Sequence, residues 1–201
     1  MLAAAALAAF CASGCGRAAS TPATTAPAAR TTTPSGWTTT RILDLVTLTH
    51  PRAWAYIPAA SFSRGPGWTA GYLTNERTVP QCHATSDPGT TECGAPVVGL
   101  HPSGVLVSIG EVGLLPSDFS LSTDAVVDGH AASIGAVPDA RMGCPPGASG
   151  AEEFQILLPG DNPARSSELT VTACYAGDGG PPDQLRADID LMLRSAMLPR
   201  R

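Results

Sequence analysis

The side chains that most clearly indicate a chemistry are four cysteines in the body of the chain, Cys82, Cys93, Cys144 and Cys174. Thiols form stable disulfides in exported proteins, and an even number of them favours complete pairing. Four cysteines allow three pairings, and we expect the one with the bonds Cys82–Cys93 and Cys144–Cys174. The first bond would close a polar loop, and the second would join a turn to a late strand.

A metal site is the alternative reading of the first cysteine pair, because His83 follows Cys82 and Cys93 comes ten residues later. This spacing matches no compact zinc pattern, and an oxidising compartment would remove the thiolates that zinc requires. We therefore expect disulfides and no metal ligands.

The four histidines show no pattern of a nucleophilic site, and no G-x-S-x-G sequence occurs. His50 and His101 each precede a proline, and His130 follows Asp128-Gly129 in a predicted turn. We interpret these histidines as surface loop residues. A triad can assemble from distant residues, so an enzyme stays open as the alternative.

An adjacent carboxylate pair, Glu152 and Glu153, is the other candidate for acid–base chemistry. Neighbouring residues of a strand point to opposite sides of a sheet, so the pair is interpreted as solvent-facing charge. Phosphate-binding, dinucleotide-binding, H-E-x-x-H and calcium-loop motifs are all absent from the sequence. The sequence therefore predicts no catalytic residues and no cofactor.

The chain begins with an apolar, alanine-rich run over residues 2–10, followed by Ala12-Ser13-Gly14-Cys15. The run has the length of a signal-peptide core and is shorter than the roughly 20 residues that span a bilayer. Small residues before a cysteine resemble the lipobox of bacterial lipoproteins. That resemblance implies a signal peptide over residues 1–15, diacylation of the Cys15 thiol and loss of Cys11 on cleavage. An ordinary secretory signal or a trimmed anchor helix is the alternative.

Residues 16–40 are rich in Thr, Ala and Pro and contain one large apolar residue, Trp37. Such a segment buries too little apolar surface to offset the entropy of ordering it. We predict a disordered tether that holds a single folded domain, residues 41–201, away from the membrane.

Periodicity within residues 41–201 predicts a mostly antiparallel sheet and one helix. Apolar residues alternate, or β-formers cluster, in seven segments: 42–50, 68–73, 104–112, 125–127, 131–134, 153–158 and 168–175. Asp128-Gly129 lies between two of them and predicts a tight hairpin turn. Apolar residues at spacings of three and four predict an amphipathic helix over residues 182–197. The fold class is therefore α+β, with the C-terminal helix packed on the sheet.

Composition excludes one class of partner. The chain carries twelve basic residues, all arginines, and a formal net charge of −5. The arginines are dispersed, whereas nucleic-acid binding requires clustered cations. We expect no nucleic-acid partner.

The predicted turn at 128–131, the late cysteine pair and the closing Leu193-Arg194-Ser195-Ala196 together resemble small secreted lipoproteins of actinomycetes. Some of these chains are similar to PsbP/Mog1-like domains, a scaffold of binding and assembly. The resemblance implies an extracytoplasmic, membrane-anchored or otherwise secreted protein that binds an envelope protein or a small ligand without catalysis. An extracytoplasmic hydrolase with dispersed catalytic residues is the alternative.

Overall fold

The structure, a computed structural model, describes residues 33–60, 68–87, 89–116, 125–136, 143–159, 165–177 and 183–199. The predicted signal peptide, the predicted lipidation residue Cys15 and the predicted tether up to residue 32 lie outside the described residues. The described part contains eleven strands and one helix: β1 Trp37–Ile42, β2 Val46–Pro51, β3 Ala55–Pro58, β4 Trp68–Thr74, β5 Cys82–Ala84, β6 Thr91–Cys93, β7 Val105–Pro116, β8 Ala125–Val127, β9 His130–Ala136, β10 Gly150–Pro159, β11 Arg165–Tyr175 and α1 Asp183–Arg194.

Seven of these strands form the main sheet in the order β3-β4-β7-β11-β10-β9-β8. Every pair of neighbours in it is antiparallel. Two smaller sheets are the hairpins β1-β2 and β5-β6. The predicted α+β class with a mostly antiparallel sheet is confirmed.

Two hairpins of the main sheet follow the sequence pattern closely. Strands β8 and β9 are joined by Asp128 and Gly129, which have positive φ values of 48° and 82°. Both central residues of a type I′ turn need positive φ, and Asp-Gly supplies them at low steric cost. Strand β10 pairs with β11 along its whole length, from Gly150↔Tyr175 to Pro159↔Ser166. This hairpin joins the two strands predicted at residues 153–158 and 168–175.

One side of the main sheet, which we call the core face, carries the strand residues of the main hydrophobic cluster. Alternate residues of the three central strands are buried there, because side chains of a strand point to opposite sides with a period of two: Val105, Val107 and Ile109 of β7, Leu169, Val171 and Ala173 of β11, and Phe154, Ile156 and Leu158 of β10. The β1-β2 hairpin and helix α1 contribute their own buried residues to the same cluster.

Helix α1 buries Leu185, Ile189, Met192 and Leu193, which recur at helical spacing on one side. Asp183 in its first turn and Arg194 in its last turn complement the helix dipole. The helix ends at Arg194, three residues before the predicted end. The chain beyond it adds to β2 through a bridge between Met197 and Thr47, so tertiary pairing replaces the last helical turn.

The region before β3 differs from the sequence prediction. Residues 42–50 were expected to form one strand after a tether ending at residue 40, but β1 begins at Trp37 and a turn at residues 43–45 separates it from β2. Leu43 adopts a positive φ of 49° in this turn. Trp37 packs against the core cluster, and pairing with β2 satisfies the backbone of the threonines that composition had assigned to the tether.

Candidate functional site

The second side of the main sheet, which we call the polar face, carries hydrogen-bonding side chains in register across four strands. One row is formed by Tyr72 of β4, Ser108 of β7, Thr172 of β11 and Glu153 of β10. Residues that pair directly in an antiparallel sheet share a side, so these four side chains point the same way. All four are partly exposed. The next row places Thr170 of β11 opposite Gln155 of β10.

Glu153 is the centre of a side-chain network on the polar face. Its Oε2 accepts a hydrogen bond from the Thr172 hydroxyl at 3.2 Å, and its Oε1 accepts one from Gln155 Nε2 at 2.8 Å. Hydrogen bonds to a carboxylate are stronger than those between neutral groups. The network therefore holds Glu153 in one orientation while leaving the side chain partly exposed.

A second carboxylate, Glu168, lies on the same face of β11 and is only 6% exposed. Its Oε1 accepts a hydrogen bond from the Thr170 hydroxyl at 3.0 Å. Burial raises the pKa of Glu168, the Thr170 hydrogen bond opposes this shift, and the charge of Glu153 adds to it. The polar face thus carries two carboxylates in different environments: Glu153 is hydrogen-bonded and partly exposed, whereas Glu168 is buried.

The phenol of Tyr72 completes the row at its β4 end. Burial raises its pKa, an effect that a hydrogen bond with the Thr69 side chain partly offsets. The phenol is therefore protonated at neutral pH and can donate a hydrogen bond. The polar face thus offers hydroxyl donors, an amide and carboxylate acceptors on neighbouring strands.

A separate polar arrangement lies at the turn before β7, where Glu76 contacts His101. The Oε1 atom of Glu76 accepts the backbone N–H of His101 at 2.7 Å, and Oε2 lies 2.7 Å from the ring Nδ1. The Glu76 side chain is 7% exposed, whereas that of His101 is 81% exposed. A carboxylate bound to Nδ1 orients the imidazole and leaves Nε2 directed away from it.

Tertiary contacts also hold the residues around this turn. Thr74, at the end of β4, and Asn75, which follows it, both bind Val105, the first residue of β7. The Thr74 hydroxyl donates to Val105 O at 2.6 Å, and Asn75 Oδ1 accepts Val105 N–H at 2.9 Å. Gly104 lies directly against Glu76 Oε1, so a Cβ at position 104 would collide with the carboxylate. Residues 101–104 form a turn closed by the hydrogen bond of Gly104 N–H to His101 O at 2.7 Å, and Glu76, which the sequence analysis did not select, is its main side-chain partner.

His50 is not a surface loop residue, and that prediction is wrong. It lies in β2 and is 1% exposed. Its Nδ1 lies 3.0 Å from the carbonyl of Pro51, which can only accept, so Nδ1 carries the proton and Nε2 accepts from the Thr40 hydroxyl at 2.9 Å. Burial lowers the pKa of His50, and the hydrogen bond to the Pro51 carbonyl partly offsets this shift. Pro51, which follows His50, is the last residue of β2, so the proline marks the end of the strand and His50 remains inside it.

The other histidines lie at the surface. His83 of β5 is exposed, and His130 begins β9 and is partly exposed. Glu152 and Glu153 point to opposite sides of β10, as predicted, but neither is a free solvent-facing charge. Glu152 accepts hydrogen bonds from Arg186 of α1, the shorter at 2.9 Å.

Both disulfides have the expected partners. Cys82 is bonded to Cys93 with a Cα–Cα distance of 4.0 Å, and Cys144 to Cys174 with one of 5.7 Å. These bonds form and persist in oxidising compartments, which places the domain outside the cytoplasm. Within the described ranges, no helix is long and apolar enough to cross a membrane.

Among the described residues, no group of three or more His, Cys, Asp and Glu side chains is arranged to hold a metal ion. No protein-family model matches the sequence, and comparison with curated proteins found no significant match.

Proposed function

We propose that the protein is a lipid-anchored component of the cell envelope whose folded domain binds a partner through the polar face of the main sheet. The observation that carries this proposal is the row formed by Tyr72, Ser108, Thr172 and Glu153. These four side chains do not contribute to the core cluster, which lies on the opposite side of the central strands. Ordered, partly exposed donors and acceptors on a rigid sheet are suited to recognition.

Charge restricts the chemistry of the partner. The described strand residues on the polar face include the carboxylates Glu153 and Glu168 and no cation. A neutral or cationic hydrogen-bonding surface would complement this face, whereas an anionic one would be repelled. The resemblance to PsbP/Mog1-like domains, which serve binding and assembly, supports the same function and is part of the proposal.

The binding experiment compares variants on the two sides of one strand. Glu153→Gln and Thr172→Val alter the polar face, while Glu152→Gln changes the adjacent residue on the core side of β10. The tethered domain serves as bait in detergent-solubilised envelope, and the recovered partner is quantified. Losing a hydrogen bond to a charged group weakens binding by about ten- to a hundredfold. If all three variants and the unaltered domain recover equal amounts of partner, the polar face is not the binding surface.

The lipid anchor is tested separately at Cys15, whose thiol is the proposed acyl acceptor. Two acyl chains provide stable membrane attachment, whereas one binds only marginally. Cys15→Ser should therefore move the protein from the membrane fraction to the soluble fraction, with Cys11→Ser as the matched control. Retention of Cys15→Ser in the membrane fraction contradicts lipidation.

The Glu76–His101 pair favours a second function, hydrolysis outside the cytoplasm with His101 as general base. A carboxylate that orients an exposed imidazole is the arrangement found in nucleophilic sites. Turnover of chromogenic esters by the purified domain, abolished in His101→Ala, would support hydrolysis. Turnover that persists in His101→Ala, or none by the unaltered domain, would leave binding as the function.

A further inference from the structure

The two disulfides differ in their surroundings. Cys174 is 2% exposed on the central strand β11. Cys93 is exposed and Cys82 partly exposed, and they lie directly opposite each other in the small sheet formed by β5 and β6. Attack on a disulfide requires a thiolate to reach one sulfur, so its rate depends on access. In Cys144–Cys174 one cysteine is buried and Cys144 is partly exposed, whereas neither cysteine of the other bond is buried, so Cys82–Cys93 is the more accessible bond.

The hairpin that carries this bond also covers an edge of the main sheet. Strand β3 is the terminal strand of that sheet. The side-chain amide of Gln81, next to Cys82, donates to Pro58 O at 2.7 Å and accepts Ala60 N–H at 2.8 Å. One amide thus satisfies backbone groups that would otherwise be available to an additional strand.

Gln81 is in turn held by the hairpin. Its carbonyl accepts Gly94 N–H at 2.8 Å, directly beside the disulfide. Strands β5 and β6 have three residues each, and an isolated two-stranded hairpin of this size is marginally stable in water. The disulfide therefore adds a covalent constraint to the hydrogen bonds that keep Gln81 on the edge of β3, which include that of Val79 N–H to Pro96 O at 2.7 Å.

We propose that Cys82–Cys93 is a thiol–disulfide exchange site for a dithiol reductant, and that opening it releases Gln81 from the edge of β3. A thiolate of the reductant attacks the Cys93 sulfur, the S–S bond breaks, and the Cys82 thiolate leaves and takes up a proton. The second thiol of the reductant then resolves the mixed disulfide. The reductant ends as a disulfide, and Cys82 and Cys93 end as thiols.

Cys144–Cys174 is the internal control for the exchange step. The native full-length protein is treated with increasing dithiothreitol, quenched by alkylation and mapped by peptide mass, with circular dichroism confirming that the fold persists. Alkylation of Cys82 and Cys93 should proceed about tenfold or more faster than that of Cys144 and Cys174. Simultaneous reduction of both bonds, or earlier reduction of Cys144–Cys174, would overturn the proposal.

Hydrogen exchange of the Ala60 amide tests the coupling to β3. We expect exchange at Ala60 to accelerate about tenfold or more on selective reduction, because the amide loses its Gln81 acceptor. Gln81→Ala should produce the same acceleration with the disulfide intact and no further change on reduction. If reduction leaves Ala60 exchange unaltered, the hairpin does not control the edge. A Cys82→Ala/Cys93→Ala variant supplies the same test without reductant.

Discussion

Removal of the Cys144–Cys174 disulfide is the perturbation whose magnitude the structure defines best. The bond joins residues 30 positions apart in sequence and fastens the segment before β10 to the end of β11. In the loop-closure description, losing a crosslink of this length enlarges the unfolded ensemble and costs about 3.6 kcal/mol of unfolding free energy. The same relation gives about 2.8 kcal/mol for Cys82–Cys93, whose separation is 11.

The ordering of the two costs is the sharper part of this prediction. Loop length alone separates them by about 0.9 kcal/mol. Burial increases the difference, because Cys174 is 2% exposed and its truncation also removes packed atoms, whereas Cys93 is exposed.

The assay is urea unfolding of two double variants, Cys144→Ala/Cys174→Ala and Cys82→Ala/Cys93→Ala, against the unaltered protein. Alanine avoids both a free thiol and a buried hydroxyl. The slope of free energy against urea should rise in both variants, since the unfolded chain exposes more surface without a crosslink. If the Cys82→Ala/Cys93→Ala variant loses more free energy than the other, the reasoning from loop length and burial is refuted.

Three further predictions concern single residues. Glu168→Gln should raise the melting temperature at neutral pH. Because the pKa of Glu168 is raised in the folded state, the unfolded state releases this proton first as pH rises, and the stability of the unaltered protein falls. The gain from the substitution should therefore vanish below pH 4.5, the ordinary pKa of glutamate. His50 has a lowered pKa, so the unfolded state binds its proton first and stability should fall as pH drops below 6.5; a His50→Gln variant whose melting temperature falls as steeply over that range would assign the effect to another group. Gly104→Ala should destabilise the protein by about 1–3 kcal/mol in urea unfolding, because its Cβ would meet the Glu76 carboxylate and lie 2.7 Å from His101 O, whereas Gly94→Ala, with no atom within 4 Å of a Cβ, should have little effect.

Local sequence was sufficient for the features whose partners are close along the chain. The β10-β11 hairpin, the Asp128-Gly129 turn and the amphipathic stripe of α1 are set by residues within a few positions of one another. Cys144 and Cys174 are 30 positions apart, but their pairing follows from the β10-β11 hairpin, which brings the segment before β10 next to the end of β11. Alternation along β7 also predicted that this strand has an apolar side.

The candidate sites depended on contacts between distant segments, which the sequence pattern does not contain. Periodicity assigns Glu153 and Thr172 each to one side of its own strand, but only the register of β10 against β11 brings the two together. Glu76 and His101 are 25 residues apart, and their contact requires the end of β4 to meet the turn before β7.

The same reason explains the errors at the start of the domain. Trp37 and the threonines after it lack the composition of a core strand, and His50 before a proline has the local signature of a loop. Pairing of β1 with β2, and of β2 with the segment after α1, encloses His50 and provides partners for that backbone. The burial of these residues therefore depends on tertiary packing, because water is excluded from them only when segments from both ends of the domain pack together.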